Sequence, residues 1–206
     1  MEKNRGMYLA YLFQTFIGLN CLYAFVTGNL VGFFSALIMF IATLVPSFVA
    51  HRMNINFPWF VYFLIALALW FHTAGYIQGY YELYYPYYDK IAHLVSGITV
   101  ALLGFIGVMF LDRYWDMTLT PPFIVGFTII FGMALGAFWE IYEFLVDTFL
   151  GGSLAGLMQN SLNDTMLDMM FVLAGSIIVA IMGLFYFRKN HKDGTAKSMD
   201  VDKETK

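Results

Sequence analysis

The chain has 206 residues, 60% of them hydrophobic and only 12% charged, with a net charge of −3. Soluble domains average about 25% charged residues, so the composition excludes an ordinary water-soluble globule. Cys21 is the only cysteine, which rules out an intramolecular disulfide and leaves the redox compartment unread.

Six apolar runs follow one another, roughly at 7–27, 30–50, 58–77, 89–111, 122–147 and 164–187. Runs of about 20 such residues predict membrane-spanning helices. The expected fold is therefore all-α, a polytopic six-span bundle over residues 1–187 with no second domain. The first run reads as a span rather than a cleavable signal peptide: it is long, it lacks a small-residue cleavage site, and more spans follow. The third opens on "PWF" (58–60), with Trp59 as an interface anchor and Pro58 near the first turn, where a missing N–H is tolerated. Between the third and fourth lies "YIQGYYELYYPYYDK" (76–90). Its tyrosines predict an aromatic belt at headgroup level, with Tyr84 or Tyr87 gripping a headgroup as the functional alternative. The tail 188–206 is polar and mixed in charge, which predicts a disordered cytoplasmic extension.

Basic residues set the orientation. Lys3 and Arg5 precede the first span, His51 and Arg52 follow the second, Arg113 follows the fourth, and Arg188, Lys189 and Lys192 follow the sixth. The alternate connections lack Lys and Arg, with Lys90 just beyond one of them. This predicts N-in and C-in, in the cell membrane.

On that topology the ionisable residues in and near the membrane crowd the extracytoplasmic side. They are His72, Asp89, Lys90, His93, Glu140, Glu143, Asp147, Asp164 and Asp168. In the fifth span, Thr128, Gly132, Gly136, Glu140, Glu143 and Asp147 share one helical stripe. Gly132 and Gly136 form a G-x-x-x-G step that admits a neighbouring helix, so the stripe should face protein. In the sixth, Asn160, Asp164 and Asp168 are spaced i, i+4, i+8, with Gly175 further along. In the fourth, Asp89 and His93 stand at i, i+4, with Ser96, Gly97 and Gly104 beyond.

Plainer readings exist for several of these. Asp89 and Asp164 fit helix N-caps, Asp147 fits a solvated interface position, Ser96 fits a small residue at a helix crossing, and His72 fits a hydrogen-bonded packing residue. They do not cover Glu140, Glu143, His93 and Asp168, which lie at least a turn inside. An intramembrane ionisable residue marks a functional site by default. A charge at the bilayer centre costs about 2.5–3.5 kcal/mol even on the mild insertion scale, so a cation, a shared proton or Lys90 must offset it.

Carboxylates joined by an imidazole suit a divalent metal. Oxygen donors favour magnesium, manganese or calcium, and histidine adds zinc or iron. The candidate ligands are Asp89, His93, Glu140, Glu143, Asp164 and Asp168, with Glu143 and His93 as candidate catalytic groups. The Glu-x-x-His repeat of di-iron bundles is absent.

"DKIAHLVSG" (89–97), "WEIYEF" (139–144), Gln159, "DTMLDMM" (164–170) and Gly175 together resemble the YjdF-type family of bacterial and archaeal inner-membrane proteins, in motif order and spacing. The resemblance marks Asp89, His93, Gly97, Trp139, Glu140, Glu143, Gln159, Asp164, Asp168 and Gly175. Many members carry Gly-Asp after the glutamine, where this chain has Asn160-Ser161. "DKIAH" also resembles VanZ-like membrane proteins, more weakly. Neither resemblance supplies an activity.

Two functions fit the residues. One is a metal-dependent membrane hydrolase or transferase acting on a lipid or lipid-linked phosphate, where the metal lowers the pKa of a bound water and an unliganded carboxylate such as Glu143 serves as general base. The alternative is a cation-binding transporter or channel component. Confinement of the acids to one end favours the first, because the inner candidates Gln14, Thr15, Thr128 and Ser176 are uncharged. A structural protein whose acids pair with Lys90 ranks third, since one lysine faces many carboxylates. Membrane lipid is the expected partner and nucleic acid is not; the oligomeric state is left open.

Overall fold

A computed structural model describes residues 5–149 and 161–204, with side chains as far as Arg188. All regular structure among these residues is helical: α1 (Met7–Val26), α2 (Leu30–Met53), α3 (Trp59–Ile77), a short α4 (Tyr80–Leu83), α5 (Tyr87–Trp115), α6 (Pro121–Phe149) and α7 (Leu162–Glu204). Six helices, all but α4, are long and apolar enough to cross a membrane, with the apolar part of α7 ending at Arg188. At 1.5 Å per residue the shortest of them, the 19-residue α3, spans about 28 Å, close to the hydrocarbon thickness of a bilayer.

The outside is apolar and the buried stripes are small or polar. Ile130 is 70% exposed and Phe48 69%, which is stable only against lipid. On α6 the buried positions are Ile124, Thr128, Gly132, Gly136, Glu140 and Glu143. This is the stripe expected from the sequence, except that Asp147 lies half-buried at its end.

The helices form two groups. Helices α1, α2 and α3 pack on one another, as do α5, α6 and α7, and the groups meet through α3 against α5, with α4 bridging the same pair. Within the first group aromatic rings interlock, with Phe13 5.1 Å from Trp70 and 5.8 Å from Phe63 between centroids. Within the second, glycine sets the spacing. A Cβ on Gly97 of α5 would lie 2.7 Å from the Val172 backbone of α7, and one on Gly175 of α7 would lie 2.7 Å from Ile98 N and Leu94 O of α5. The two backbones therefore touch, and only hydrogen side chains fit between them. A Cβ on Gly136 would meet the Val172 side chain at 2.8 Å, so α6 closes on α7 along its glycine step.

Helix ends differ from expectation in three places. Helix α5 extends through Asp112 and Arg113, which the hydropathy pattern left in a loop; Asp112 Oδ1 accepts from Leu119 N at 2.7 Å and Asp116 ends the helix in the left-handed region (φ 51°). The tyrosine segment contains α4, which the apolar pattern could not signal. Helical backbone also continues from Arg188 to Glu204, across residues read from their polarity as disordered.

Candidate functional site

Four helix ends converge at one end of the bundle: the C-termini of α3 and α6 and the N-termini of α5 and α7. Asp89 and Asp164 are not N-caps. Helix α5 begins after Pro86, which puts Asp89 inside its first turn. In α7 the Ser161 hydroxyl accepts from Asp164 N at 3.2 Å, so Ser161, not Asp164, caps the helix. Carboxylates in first turns are favoured by the helix dipole, and both turn inward.

Their partner is Lys90. Its buried ammonium donates to Asp164 Oδ1, to Asp168 Oδ1 and Oδ2 at 2.8 and 2.9 Å, and to Asp89 Oδ2 at 3.0 Å. The ammonium's three protons thus serve three aspartates. The charge arithmetic that ranked such pairing third took no account of this geometry: one lysine, placed centrally, fills the cation position between α5 and α7.

A second set lies beside it. His93 is 2% exposed, Glu140 6% and Glu143 7%, and their donor atoms all lie within 4.8 Å of one another. His93 Nδ1 is 3.6 Å from Glu140 Oε1, while Nε2 faces Asp89 Oδ1 at 3.4 Å and Asp168 Oδ1 at 3.9 Å. Among the described residues, His93 Nε2 and Glu140 Oε1 are buried without a hydrogen-bond partner. Buried polar atoms are rarely left so. The Glu140 carboxylate also has a hydrogen bond with Thr165 of α7, which holds it against that helix. Glu143 Oε1 accepts from Trp139 Nε1 at 2.7 Å.

The structure therefore divides the six candidate ligands. Asp164 and Asp168 are committed to Lys90. Asp89 touches both sets, one oxygen on Lys90 and the other facing His93. Glu140 Oε1 has no hydrogen-bond partner among the described residues, and it clusters with a Glu143 oxygen and the His93 ring. Asp89, His93 and Asp168 also cluster closely enough for a metal, but Lys90 already holds both Asp168 oxygens and one of Asp89. Asp147 lies half-buried at the end of α6, and Gln159 and Asn160 fall outside the described residues.

His72 is a packing residue. Its Nδ1 shares a hydrogen bond with Tyr81 Oη at 2.8 Å and its Nε2 one with Ser96 Oγ at 3.1 Å, so neither nitrogen is available to a metal. Ser96 is thus more than a small residue at a crossing. The His72 ring lies 4.3 Å from that of Trp139 and 5.9 Å from that of His93. Tyr81 was missed by the sequence reading, which offered Tyr84 and Tyr87; those two are exposed at 54% and 74%, as an interfacial belt requires. Burial, and then the nearby carboxylates of Asp89 and Glu143, push the Tyr81 phenol well above its ordinary value, so it stays protonated beside His72. Tyr88 turns inward as well and donates to Phe71 O at 3.0 Å. Only the α4 turn separates these rings from the exposed ones, and no periodicity in a tyrosine-rich run could have told them apart.

Away from this end two buried hydroxyls on α6 and α7 serve their own helices. Thr128 donates to Ile124 O at 2.8 Å and Ser176 to Val172 O at 2.9 Å.

Comparison with known proteins agrees with the membrane fold. A curated relative, described as an uncharacterized protein of Thermotoga maritima, is 28% identical over 118 residues, 57% of this chain and 58% of that protein. The match thus spans less than two thirds of the relative's length. No solved structure matches. VanZ-like similarity is not among what these matches show. The model of the family described as "Predicted membrane protein (DUF2238)" matches residues 8–189. That family includes the YjdF-type proteins, and the match covers nearly all of the six-span region, so the chain belongs to this membrane protein family.

Proposed function

We propose that His93, Glu140 and Glu143 bind one divalent metal, and that the protein uses it as a hydrolase or transferase on a lipid or lipid-linked phosphate. The observation that carries this reading is the 3.6 Å separation of His93 Nδ1 and Glu140 Oε1, with that oxygen buried and unpartnered. The distance is too long for a good hydrogen bond. Two donors each about 2.1 Å from one tetrahedral ion lie about 3.4 Å apart, which matches. Asp89 then stands behind His93, the carboxylate–histidine–metal arrangement that fixes a ligand imidazole. Three protein donors leave coordination positions open for water and a substrate oxygen. The metal would supply an activated water and stabilise developing negative charge.

The Lys90 cluster favours a structural staple for its three aspartates, yet it leaves the histidine and both glutamates unexplained. The cation-pathway alternative needs polar groups across the bundle; the hydroxyls of Thr128 and Ser176 are turned back onto their own helices, which favours a closed site. The charge bias supports an extracytoplasmic side for the site. A cysteine at exposed Glu82, in a Cys21→Ser background, is expected to react with an impermeant maleimide added outside intact cells. Elemental analysis of detergent-purified protein tests the metal: near-stoichiometric metal is expected in the wild type and loss in Glu140→Gln. A metal-free wild type from metal-replete medium would overturn the reading.

A further inference from the structure

The two helix groups meet through α3 and α5, with the His72 and Trp139 rings joining α3 to α6, and the α2 and α6 backbones do not approach closely among the described residues. Between them runs a cavity of about 670 Å³, within the ~300–1,000 Å³ range of ligand sites. Its floor and walls are apolar, with Pro46, Val61, Ala68, Val100, Leu103 and Leu135 among them. Its rim residues Val45, Phe138 and Tyr142 are 51%, 66% and 41% exposed, so the cavity opens sideways between α2 and α6. In a membrane that opening meets hydrocarbon, not water.

The closed end meets the candidate metal site. His72, His93 and Trp139 line it there. From His93 to Leu103 on α5 the groove runs about 15 Å, half the ~30 Å hydrocarbon core and so one leaflet deep. On the other side of His72, Trp139 and Tyr142 sits a second cavity of about 40 Å³, lined also by Tyr81, Asp89 and Glu143. That space suits water, which needs roughly 10–15 Å³ and polar partners. The Trp139 and His72 rings stand as a partition between the two spaces.

We infer that the α2–α6 groove holds one acyl chain of a membrane phospholipid, entering sideways from the leaflet beside the polar end, with the lipid's polar part brought to His93. This deepens the lipid-directed reading above and rests on it for any chemistry after binding, though chain binding itself needs no metal. Three facts select the occupant: an apolar lining, a mouth facing hydrocarbon, and a depth of one leaflet ending at polar groups.

The test is lipid retention. Protein is reconstituted into vesicles of phosphatidylethanolamine and phosphatidylglycerol, re-extracted in mild detergent, and its bound phospholipid and metal are counted by mass spectrometry. The wild type is expected to keep about one phospholipid per chain. Ala42→Phe with Val100→Phe fills the groove and is expected to lower retention about tenfold, whereas Ile130→Phe on the outer face leaves it unchanged. Each single phenylalanine is read alone should the pair not elute as a folded species. Glu140→Gln should lose metal and keep lipid, so the two readings fail separately. Equal retention in the wild type and the filled variants, all folded, would overturn the groove assignment and leave the metal site standing.

Discussion

The polar end of the bundle holds two neighbouring clusters, and they are solved in opposite ways. Around Lys90, an ammonium in bonding contact with three aspartates satisfies four carboxylate oxygens. Around His93, two glutamates and an imidazole are equally buried, but His93 and Glu140 stand off at 3.6 Å with atoms unpartnered. Asp89 touches both. Burial of acids therefore does not by itself mark a site. A cluster that closes on itself holds helices together; the one that stays open after packing is the one the metal reading rests on.

The most severe test of this contrast is to empty the closed cluster. Lys90→Met leaves three buried carboxylates without their cation, and removing one partner from a buried pair costs about 3–5 kcal/mol. A large fall in the unfolding temperature in detergent is expected, with partial recovery when Asp168→Asn is added. A Lys90→Met protein as stable as the wild type would show that the aspartates are not held by it. In the open cluster, Glu140→Gln is expected to weaken metal affinity at least about 100-fold, roughly 2.8 kcal/mol. Its stability with chelator should be unchanged or improved, because a buried carboxylate oxygen without a partner gives way to a neutral amide. Titration calorimetry and thermal unfolding on the same samples read both. A Glu140→Gln variant destabilised like Lys90→Met would make the two clusters alike after all.

Asp89→Asn probes the boundary between them. It retains the shape but weakens the hold on Lys90 and the support behind His93. Metal affinity about tenfold lower is expected, with about 1 kcal/mol less stability, so both readouts move modestly together. The smallest effect is reserved for the shell. Tyr81→Phe removes one hydrogen bond to His72 and is expected to cost about 1 kcal/mol in stability with metal affinity unmoved. A large loss of metal there would bring His72 into the site.

Much of this end was legible in sequence. Helical spacing placed Glu140 and Glu143 on the stripe of Gly132 and Gly136, and all four are buried. The same spacing put Asp89 with His93, and Asp164 with Asp168. Spacing along a helix carries no information about which side chain of a neighbouring helix comes within bonding distance. Lys90 therefore counted as one charge against many. Tyr81 was hidden for a related reason: a short turn, not a period, rotates it inward.

Length, apolar runs and polar stripes suffice to specify a six-span helical bundle with its acids gathered at one end, because a membrane-spanning helix must be about 20 apolar residues long and must turn its polar face away from lipid. How those acids divide was settled only by the packing of the helices. Gly97 and Gly175 let α5 and α7 touch, which sets Lys90 among three aspartates. The packing of α5 against α6 leaves His93 and Glu140 3.6 Å apart. The gap between the α2 and α6 backbones opens the groove, since only the packing of separate helices fixes where a bundle fails to close.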